Sequence, residues 1–433
     1  MMHESEFKNR RQQIMRMIED HSLLIIPSAP PKNRSRDIEY RYRQDSDFFY
    51  LTGFDEPNSI LVLIPGRSEG EFILFCQERD KLREQWDGKR YGPEGAMNDF
   101  QVDDAYPIDD IDEILPALIQ TKKYIYYSMH RDREFDNKLN SWVNEKSDKP
   151  KRNQYQQEII SLDHLLHDMR LFKSKTEITA MKNAVKIAVV AHENAIKKVH
   201  PKMFEYELEA EFIYEFTRYN AEHAYNPIVG GGENACILHY VSNNAELKDG
   251  DLVLIDAGCE LKYYASDITR TFPVNGRFSR AQLDIYNIVL EAQLSAISKV
   301  KKGNHFNDPH NEAVKIITQG LLNLGLLQGK ISRLIENEAY RRFFMHRTGH
   351  WIGMDVHDVG DYKVDEEWRL LENGMVTTIE PGIYIGNEKD IPKRYRNIGV
   401  RIEDMVLVKD STPEVLSQSL VKDPAAIELM MGS

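Results

Sequence analysis

The chain has 433 residues, 41% of them hydrophobic and 29% charged, a composition typical of globular proteins and not of disordered or fibrous ones. With 56 basic and 69 acidic residues, its formal net charge of −13 argues against sequence-independent binding to nucleic acid or anionic lipid. Its three cysteines are far apart and form no CxxC pair, which indicates neither a disulfide framework nor a zinc ribbon. The first apolar run, residues 23–26, is too short for a signal peptide or a membrane span, so we expect a cytoplasmic protein.

The N-terminal part of the chain is predicted to be an α/β domain. Short apolar runs between proline, glycine and charged residues predict strands at 23–26, 60–64 and 72–76. A helix is predicted over 109–119, and the polar, weakly periodic stretch 133–154 is typical of a domain junction or an exposed loop. Because the chain exceeds the size at which one core usually keeps growing, we predict two domains, 1–168 and 169–433.

The C-terminal half is predicted to begin with two amphipathic helices. Apolar residues recur at helical spacing over 175–199 and again over 204–219. A second pair of helices is predicted further on, one opening at a capping box of Ser279 and Gln282 and one over 309–325, and strand-like runs follow. Two helices followed by strands, twice over, indicate an internally duplicated α+β unit.

Two aspartates stand beside apolar, β-rich runs. Asp256 ends the run Leu252–Ile255, and Asp267 opens a second run that reaches Phe272. Across an antiparallel pair of strands the two carboxylates would lie close together and repel each other, and a divalent cation would remove that repulsion. Either aspartate alone is equally compatible with a turn residue or a helix cap.

Histidines and glutamates further along extend this pattern. Three histidines fall within twelve positions of a glycine-punctuated stretch, as nitrogen ligands or proton carriers do: His346, His350 and His357. Glu380 and Glu403 each lie in a β-branched run that should be buried, where an unpaired charge is costly. Arg401 falls on the same face of its strand as Glu403, so a simple salt bridge is the alternative for that pair.

These positions together supply the ligand set expected of two adjacent divalent metal ions. The set is Asp256, Asp267, His350, Glu380 and Glu403. Its four carboxylates balance the charge of two such ions. A site of this kind can bind and acidify a bridging water, which is the nucleophile of many hydrolases.

Three further segments, together with the metal motifs, carry a resemblance to a known family. They are Tyr42–Phe54, Met169–Glu177 and Ile237–Tyr240. From about residue 22 to residue 425 the chain resembles aminopeptidase P, the Xaa-Pro aminopeptidases among the pita-bread metallopeptidases. The resemblance implies a creatinase-like α/β N-terminal domain and an α+β pita-bread catalytic domain. It also implies hydrolysis of the N-terminal Xaa-Pro bond of peptides by a metal-bridging hydroxide, with two Mn²⁺ ions expected and Co²⁺ or Zn²⁺ as alternatives.

The resemblance implies a role for each matching metal position. Asp256 would chelate one ion, and Asp267 and Glu403 would bridge the two ions. His350 and Glu380 would bind the second ion. Glu380 would also take a proton from the attacking water and pass it to the leaving proline nitrogen.

Further positions match residues that contact the substrate. Three histidines would line the cleft and stabilise charge on the scissile carbonyl: His239, His346 and His357. Arg401 and Tyr384 would contact the substrate beside the metals, and Asp37 and Trp86 of the N-terminal domain match more loosely as contributors to the S1 side. A homodimer or homotetramer is expected.

Related activities remain as alternatives. Prolidase shares the catalytic domain and ligands but cuts Xaa-Pro dipeptides, so activity on a tripeptide separates the two. Methionine aminopeptidase usually lacks so large an N-terminal domain. A non-catalytic binding module, or metal-free creatinase-like chemistry, would be expected to have lost metal ligands, and all five are present here.

Overall fold

The structure is a computed structural model that describes residues 4–144 and 157–432. The chain divides into two compact units, Met1–His167 and Asp168–Ser433. The domains predicted from the sequence are 1–168 and 169–433. Within the described ranges, no helix is long and apolar enough to cross a membrane.

The N-terminal unit is built around a six-stranded sheet. The strands of this unit are β1 (Ser22–Pro27), β2 (Asn33–Ser35), β3 (Ile38–Glu39), β4 (Ile60–Leu63), β5 (Phe72–Cys76), β6 (Asp104–Pro107), β7 (Tyr124–Tyr126) and β8 (Glu158–Ile160). Its helices are α1 (Glu4–Met17), α2 (Ser46–Thr52), α3 (Glu84–Asp87), α4 (Gly92–Phe100), α5 (Ile111–Gln120) and α6 (Arg133–Asn144). The sheet order is β6-β5-β4-β1-β7-β8, in which β4 is antiparallel to both of its neighbours and the other pairs are parallel.

The core of this unit forms where strands and helices bury their apolar side chains. Ile25, Val62 and Phe75 of the sheet belong to one buried cluster with Leu115 of α5 and Leu139 of α6. The strands are apolar along their whole length because both faces of a covered sheet exclude water. The three strands and the helix predicted for this region are therefore confirmed.

One prediction for this unit is wrong in part. The stretch predicted as a junction or loop begins with α6, because Phe135, Leu139 and Trp142 recur at helical spacing and all three are buried. Charged residues between them mask that periodicity in the sequence. The remainder of the stretch, from 145 to 154, lies outside the described residues.

The C-terminal unit contains two helix pairs, each followed by strands. Helix α7 (Asp163–Leu171) leads into it, and its further helices are α8 (Lys175–Lys198), α9 (Glu205–Arg218), α10 (Arg280–Lys299), α11 (Asp308–Asn323), α12 (Ile331–Glu336) and α13 (Pro424–Met431). The strands are β9 (Glu222–His223), β10 (Ile228–Gly231), β11 (Leu252–Asp256), β12 (Cys259–Leu261), β13 (Tyr264–Ala265), β14 (Thr269–Pro273), β15 (Lys363–Val364), β16 (Glu367–Trp368), β17 (Val376–Ile379), β18 (Gly382–Ile385), β19 (Ile398–Arg401), β20 (Asp404–Leu407) and β21 (Glu414–Val415).

The predicted duplication is visible in the order of these elements. Helices α8 and α9 precede the sheet β10-β11-β14, and α10 and α11 precede the sheet β17-β20-β21 and the pair β18-β19. The capping box predicted at the start of α10 is confirmed: the Ser279 hydroxyl accepts a hydrogen bond from the backbone of Gln282, whose side chain accepts one from the backbone of Ser279. The four helices predicted in this half are all present.

Candidate metal centre

The two aspartates are positioned by a pair of antiparallel strands. Asp256, the last residue of β11, pairs with Thr269 of β14, and Asp267 lies two residues before β14. The intervening segment is tightly packed, since a Cβ on Gly258 would lie 1.7 Å from a backbone oxygen. The hydroxyl of Tyr225 lies 2.6 Å from an oxygen of Asp256 and 2.6 Å from an oxygen of Asp267, so the two carboxylates share one neighbour.

The second pair of carboxylates comes from the second sheet. Glu380 directly follows β17, and Glu403 directly precedes β20, to which β17 is antiparallel. His350 runs alongside β17: its backbone N–H donates to the Thr378 hydroxyl at 3.1 Å, and its carbonyl accepts from the Thr378 N–H at 3.0 Å. The strand pairing thus carries an imidazole and two carboxylates to one end of the sheet.

The two sheets bring these side chains into a single cluster. Asp267, His350 and Glu403 each place one ligand atom within 4.8 Å of the others. Nε2 of His350 lies 3.3 Å from Oδ2 of Asp267 and 3.7 Å from Oε1 of Glu380. All of them line one cavity together with Asp256. Hard carboxylate oxygens with one imidazole form a donor set that suits Mn²⁺, Co²⁺ or Zn²⁺.

Burying so many like charges shifts their pKa values. Burial and the charge of Asp267 raise the pKa of Glu403 well above its usual range, and burial raises the pKa of Asp256 as well. Burial raises the pKa of Glu380 to about 7. Burial opposes the charge of His350, but its hydrogen bond to Asp267 prevails and raises the histidine pKa to about 9. The cluster thus disfavours its own full ionisation, and a divalent cation would relieve that.

Arg401 and Thr269 support the cluster from one side. The Thr269 hydroxyl donates to Oε2 of Glu403 at 2.7 Å. Arg401 donates to Thr269 at 3.2 Å, to Oδ2 of Asp256 at 2.7 Å and to the hydroxyl of Tyr384 at 2.9 Å. The alternative considered for Arg401 was a simple salt bridge with Glu403, and the structure instead pairs this arginine with Asp256 at the end of β11.

The cavity around the cluster has a volume of about 840 Å³, and the predicted cleft histidines line it: His239, His346 and His357. Nε2 of His346 lies 2.8 Å from the hydroxyl of Tyr384, which links that tyrosine to the cavity wall. Burial lowers the pKa of His346 to about 3, so it is neutral at physiological pH. The rings of His350 and His357 are 4.3 Å apart between centroids.

The two predicted contacts in the N-terminal unit are both exposed there. Trp86 has 86% of its surface accessible, and Asp37 is exposed between β2 and β3. Their part in substrate binding stays a prediction.

Several residues of the site could not be predicted from the sequence. Tyr225 and Thr269 contact the carboxylates directly, and neither stands in a local pattern that marks it. An aromatic wall of the cavity was also missed: Phe306, Tyr362 and Trp368. Scattered aromatic residues carry little signal in sequence, because core packing uses the same residue types.

The chain is similar to known proteins along nearly its whole length. The model of metallopeptidase family M24 matches residues 179–410, and that of the aminopeptidase P N-terminal domain matches residues 7–126. The Xaa-Pro aminopeptidase of Haemophilus influenzae is 43% identical over 428 residues, covering 99% of this chain and 97% of that protein. The structure of Pseudomonas aeruginosa aminopeptidase PepP superposes with a TM-score of 0.98 at 51% identity, covering 100% of this chain and 98% of that one. Zinc-substituted Escherichia coli aminopeptidase P in complex with product matches with a TM-score of 0.96 at 43% identity, over 100% and 98% of the two chains.

A two-unit chain with an acidic and histidine centre in its C-terminal pita-bread unit has the architecture of a metallopeptidase. The chain belongs to metallopeptidase family M24 and, within it, to the Xaa-Pro aminopeptidases, so it is an enzyme, a metallo-exopeptidase.

Proposed function

We propose that this enzyme removes the N-terminal residue from peptides with proline at the second position, using two divalent metal ions. The observation that carries the proposal is the convergence of two aspartates, two glutamates and a histidine in one cavity. The names of its relatives support the choice of bond. Peptides longer than a dipeptide are the proposed substrates, which distinguishes the activity from that of prolidase.

The proposed ligands are Asp256, Asp267, His350, Glu380 and Glu403. Their four carboxylates carry four negative charges when ionised, which two divalent cations neutralise. Mn²⁺ is the proposed native ion, with Co²⁺ and Zn²⁺ as alternatives, and the zinc-substituted relative supports a site that accepts more than one such metal. When bound, the ions lower the pKa of a water in the cavity and polarise the scissile carbonyl.

The chain's own groups carry the proton. Glu380 accepts a proton from the attacking water and delivers it to the proline nitrogen as the peptide bond breaks. Without this proton the leaving amine would depart as an anion. One carboxylate that accepts the proton from water and donates it to the proline nitrogen serves both steps.

Other residues orient the substrate. The hydroxyl of Tyr384 accepts a hydrogen bond from Arg401 and lies 2.8 Å from Nε2 of His346, so it holds these two cavity-lining side chains in place. His239 and His357, at the wall of the same cavity, position the scissile carbonyl and stabilise the charge that develops on it. Proline at the second position has no amide N–H and restricts the residue before it, so a shaped pocket is needed to align the bond.

We also propose that the protein is cytoplasmic and assembles as a homodimer or homotetramer. All three cysteines are free thiols, Cys76, Cys236 and Cys259, as is usual in a reducing compartment. The assembly is proposed from the family resemblance, and light scattering of the purified protein measures it directly.

The test is hydrolysis of a matched pair, an Xaa-Pro-Yaa tripeptide and the corresponding Xaa-Pro dipeptide, by chelator-treated enzyme with and without Mn²⁺. We expect Mn²⁺-dependent release of the first residue from the tripeptide. Cleavage of the dipeptide alone would instead identify a prolidase. No cleavage of either peptide in the presence of any of the three metals would contradict the proposal.

A further inference from the structure

A carboxylate outside the metal centre receives four hydrogen bonds. Glu205, the first residue of α9, is fully buried. Its Oε1 accepts from the Gly231 N–H at 2.8 Å and from the Asn234 side chain at 2.9 Å. Its Oε2 accepts from the Tyr240 hydroxyl at 2.8 Å and from the Ala245 N–H at 2.9 Å. Each oxygen therefore serves a different part of the chain.

The four donors are spread along one loop: Gly231 and Asn234 precede it, Tyr240 lies in its middle and Ala245 follows it. After β10 the chain forms a short 3-10 helix, Gly232–Cys236, and then runs without regular structure to residue 244. Leu238, His239 and Val241 of this segment line the cavity of the metal centre. His239 and Val241 are exposed, whereas Leu238 and Tyr240 beside them are partly buried and pack against a small apolar cluster. Glu205 thus adds directed contacts at both ends of the loop and at Tyr240, the residue next to His239.

The backbone of the same helix end strengthens the attachment. The N–H of Glu205 donates to the carbonyl of Ala245 at 3.0 Å. Glu205 is therefore hydrogen-bonded to Ala245 through both its backbone and its side chain. One helical turn further on, Glu209 accepts a hydrogen bond of 2.9 Å from the side chain of Asn243. Asn243 also accepts from the Val229 N–H at 3.0 Å, which joins the far end of the loop to β10.

The chemistry of the four contacts requires an ionised carboxylate. A carboxylate offers acceptor sites on both oxygens, whereas an amide of the same shape has an acceptor on one side and a donor on the other. A glutamine at this position would turn an N–H group toward either Ala245 or Gly231, whose N–H groups cannot accept it. Without these four donors the charge would be costly to bury.

We propose that Glu205 is a positioning residue that fixes the His239 loop as a wall of the substrate cavity. This inference rests on the proposed function, since the loop matters only if the substrate contacts it. Glu205 does not line the cavity, so it acts through the loop and in particular through His239. A misplacement of about 1 Å at this distance from the reacting bond is sufficient to slow an enzyme up to about 100-fold.

The test is a double-mutant cycle with Glu205→Gln and His239→Ala, measured as kcat/KM on the tripeptide with saturating Mn²⁺. We expect Glu205→Gln alone to lower kcat/KM roughly 10- to 100-fold. In the His239→Ala background the same change should cost less than about threefold, because the group through which it acts is already absent. Bound Mn²⁺ per chain should match the wild type. Glu215→Gln is the control, a buried glutamate of the same helix that pairs with Arg218, and it should retain wild-type kcat/KM.

Each outcome separates this inference from the proposed function. Wild-type enzyme that does not cleave the tripeptide overturns the proposed function itself. Active wild type with an unimpaired Glu205→Gln variant, or with losses that multiply in the double variant, overturns the positioning role. If Glu205→Gln fails to fold, Tyr240→Phe removes only one of the four donors and should destabilise the protein less. The smaller loss of kcat/KM expected for Tyr240→Phe should also disappear in the His239→Ala background.

Discussion

Arg401 donates a hydrogen bond of 2.7 Å to Asp256, and this contact joins the last strand residue of β19 to that of β11. The arginine is 4% exposed. Burial opposes its charge, but the neighbouring Tyr384 and Asp256 raise its pKa well above the usual range, so it stays cationic. A permanent positive charge thus stands against one edge of a cluster of four carboxylates.

Replacing Arg401 tests whether its three directed hydrogen bonds matter or only its charge. Arg401→Lys keeps the charge, but a single ammonium cannot serve Asp256, Thr269 and Tyr384 in their present geometry. Each hydrogen bond to a charged group is worth about 1.5–3 kcal/mol, so we expect kcat/KM to fall roughly 10- to 100-fold for one lost contact. Steady-state kinetics on the tripeptide measure this. Wild-type kcat/KM in the variant would show that the charge alone suffices.

Removing one proposed ligand should abolish hydrolysis while the fold survives. Asp267→Ala and His350→Ala each delete a group whose ligand atom lies within 4.8 Å of the others in the cluster. Asp267 and His350 form a buried pair, and their contact lowers the pKa of Asp267 against burial and raises the pKa of His350 to about 9. Each substitution should therefore also lower the melting temperature of the metal-free form, because it leaves the other group without its partner. Activity, bound metal by elemental analysis and circular dichroism together check this. Asp361→Ala, at an exposed position, is the control. Full activity in either ligand variant would overturn the site assignment.

A buried histidine behind the centre should make the metal-free protein sensitive to mild acid. His192 on α8 is fully buried, and its Nε2 lies 3.1 Å from the carbonyl of Ala257. Burial and the charge of Arg270 lower its pKa to about 3. Between pH 6.5 and pH 3 the unfolded chain therefore binds a proton that the folded chain does not, so stability falls as the pH falls. The loss from pH 7.5 to pH 5 should be about 2 kcal/mol for this residue.

The measurement is urea unfolding of chelator-treated protein at pH 7.5 and pH 5. His192→Gln keeps a side-chain N–H for Ala257 but cannot titrate, so its loss of stability over this range should be about 2 kcal/mol smaller than that of the wild type. His200→Gln changes an exposed histidine and should leave the wild-type pH dependence intact. Equal pH dependence in wild type and His192→Gln would mean that His192 is protonated in the folded state.

The ligand types were predictable because each carboxylate interrupts an apolar, β-rich run. Asp256 and Glu403 stand where a charge would be expensive without a partner, and that cost is readable in one sequence. Tyr225 was not predictable, since it reaches the two aspartates only when separate segments fold together. The same limit applies to Glu205, whose four donors lie 26 to 40 positions away in the chain.

Errors in the fold have a different origin. Helix α6 was missed because its three buried positions are separated by charged and polar residues, so the stretch looks hydrophilic on average. The long helices were found because their apolar periodicity persists over more turns, and α10 also carries its capping box. Apolar periodicity predicts a helix reliably only when it repeats over several turns, and α6, with 12 residues, offers few repeats.

A buried ion cluster should control the stability of the segment that carries His357. Asp358 lies 3.0 Å from Nζ of Lys173 and 2.5 Å from Nη2 of Arg170, and all three side chains are almost fully buried. Asp358→Asn would leave both cations facing a neutral amide, and breaking such a buried pair typically costs about 3–5 kcal/mol. We expect a fall in Tm of roughly 5–9 °C for the unit that contains Asp358, measured by differential scanning calorimetry. Asp355→Asn is the control, because that carboxylate also pairs with Arg170 but is 36% exposed and should cost less than half as much.

The pH dependence of the difference in Tm between wild type and Asp358→Asn shows whether the charge of Asp358 causes that difference. Burial alone would raise the pKa of Asp358, but the charges of Lys173 and Arg170 hold it below its usual range. A carboxyl group with a lowered pKa in the folded state stabilises the protein fully above its ordinary pKa and loses that effect as the pH falls further. The difference in Tm between wild type and Asp358→Asn should therefore be constant from neutral pH to about pH 4 and should narrow below that. A difference that stays constant down to pH 3 would mean that shape, and not the charge of Asp358, holds the segment in place.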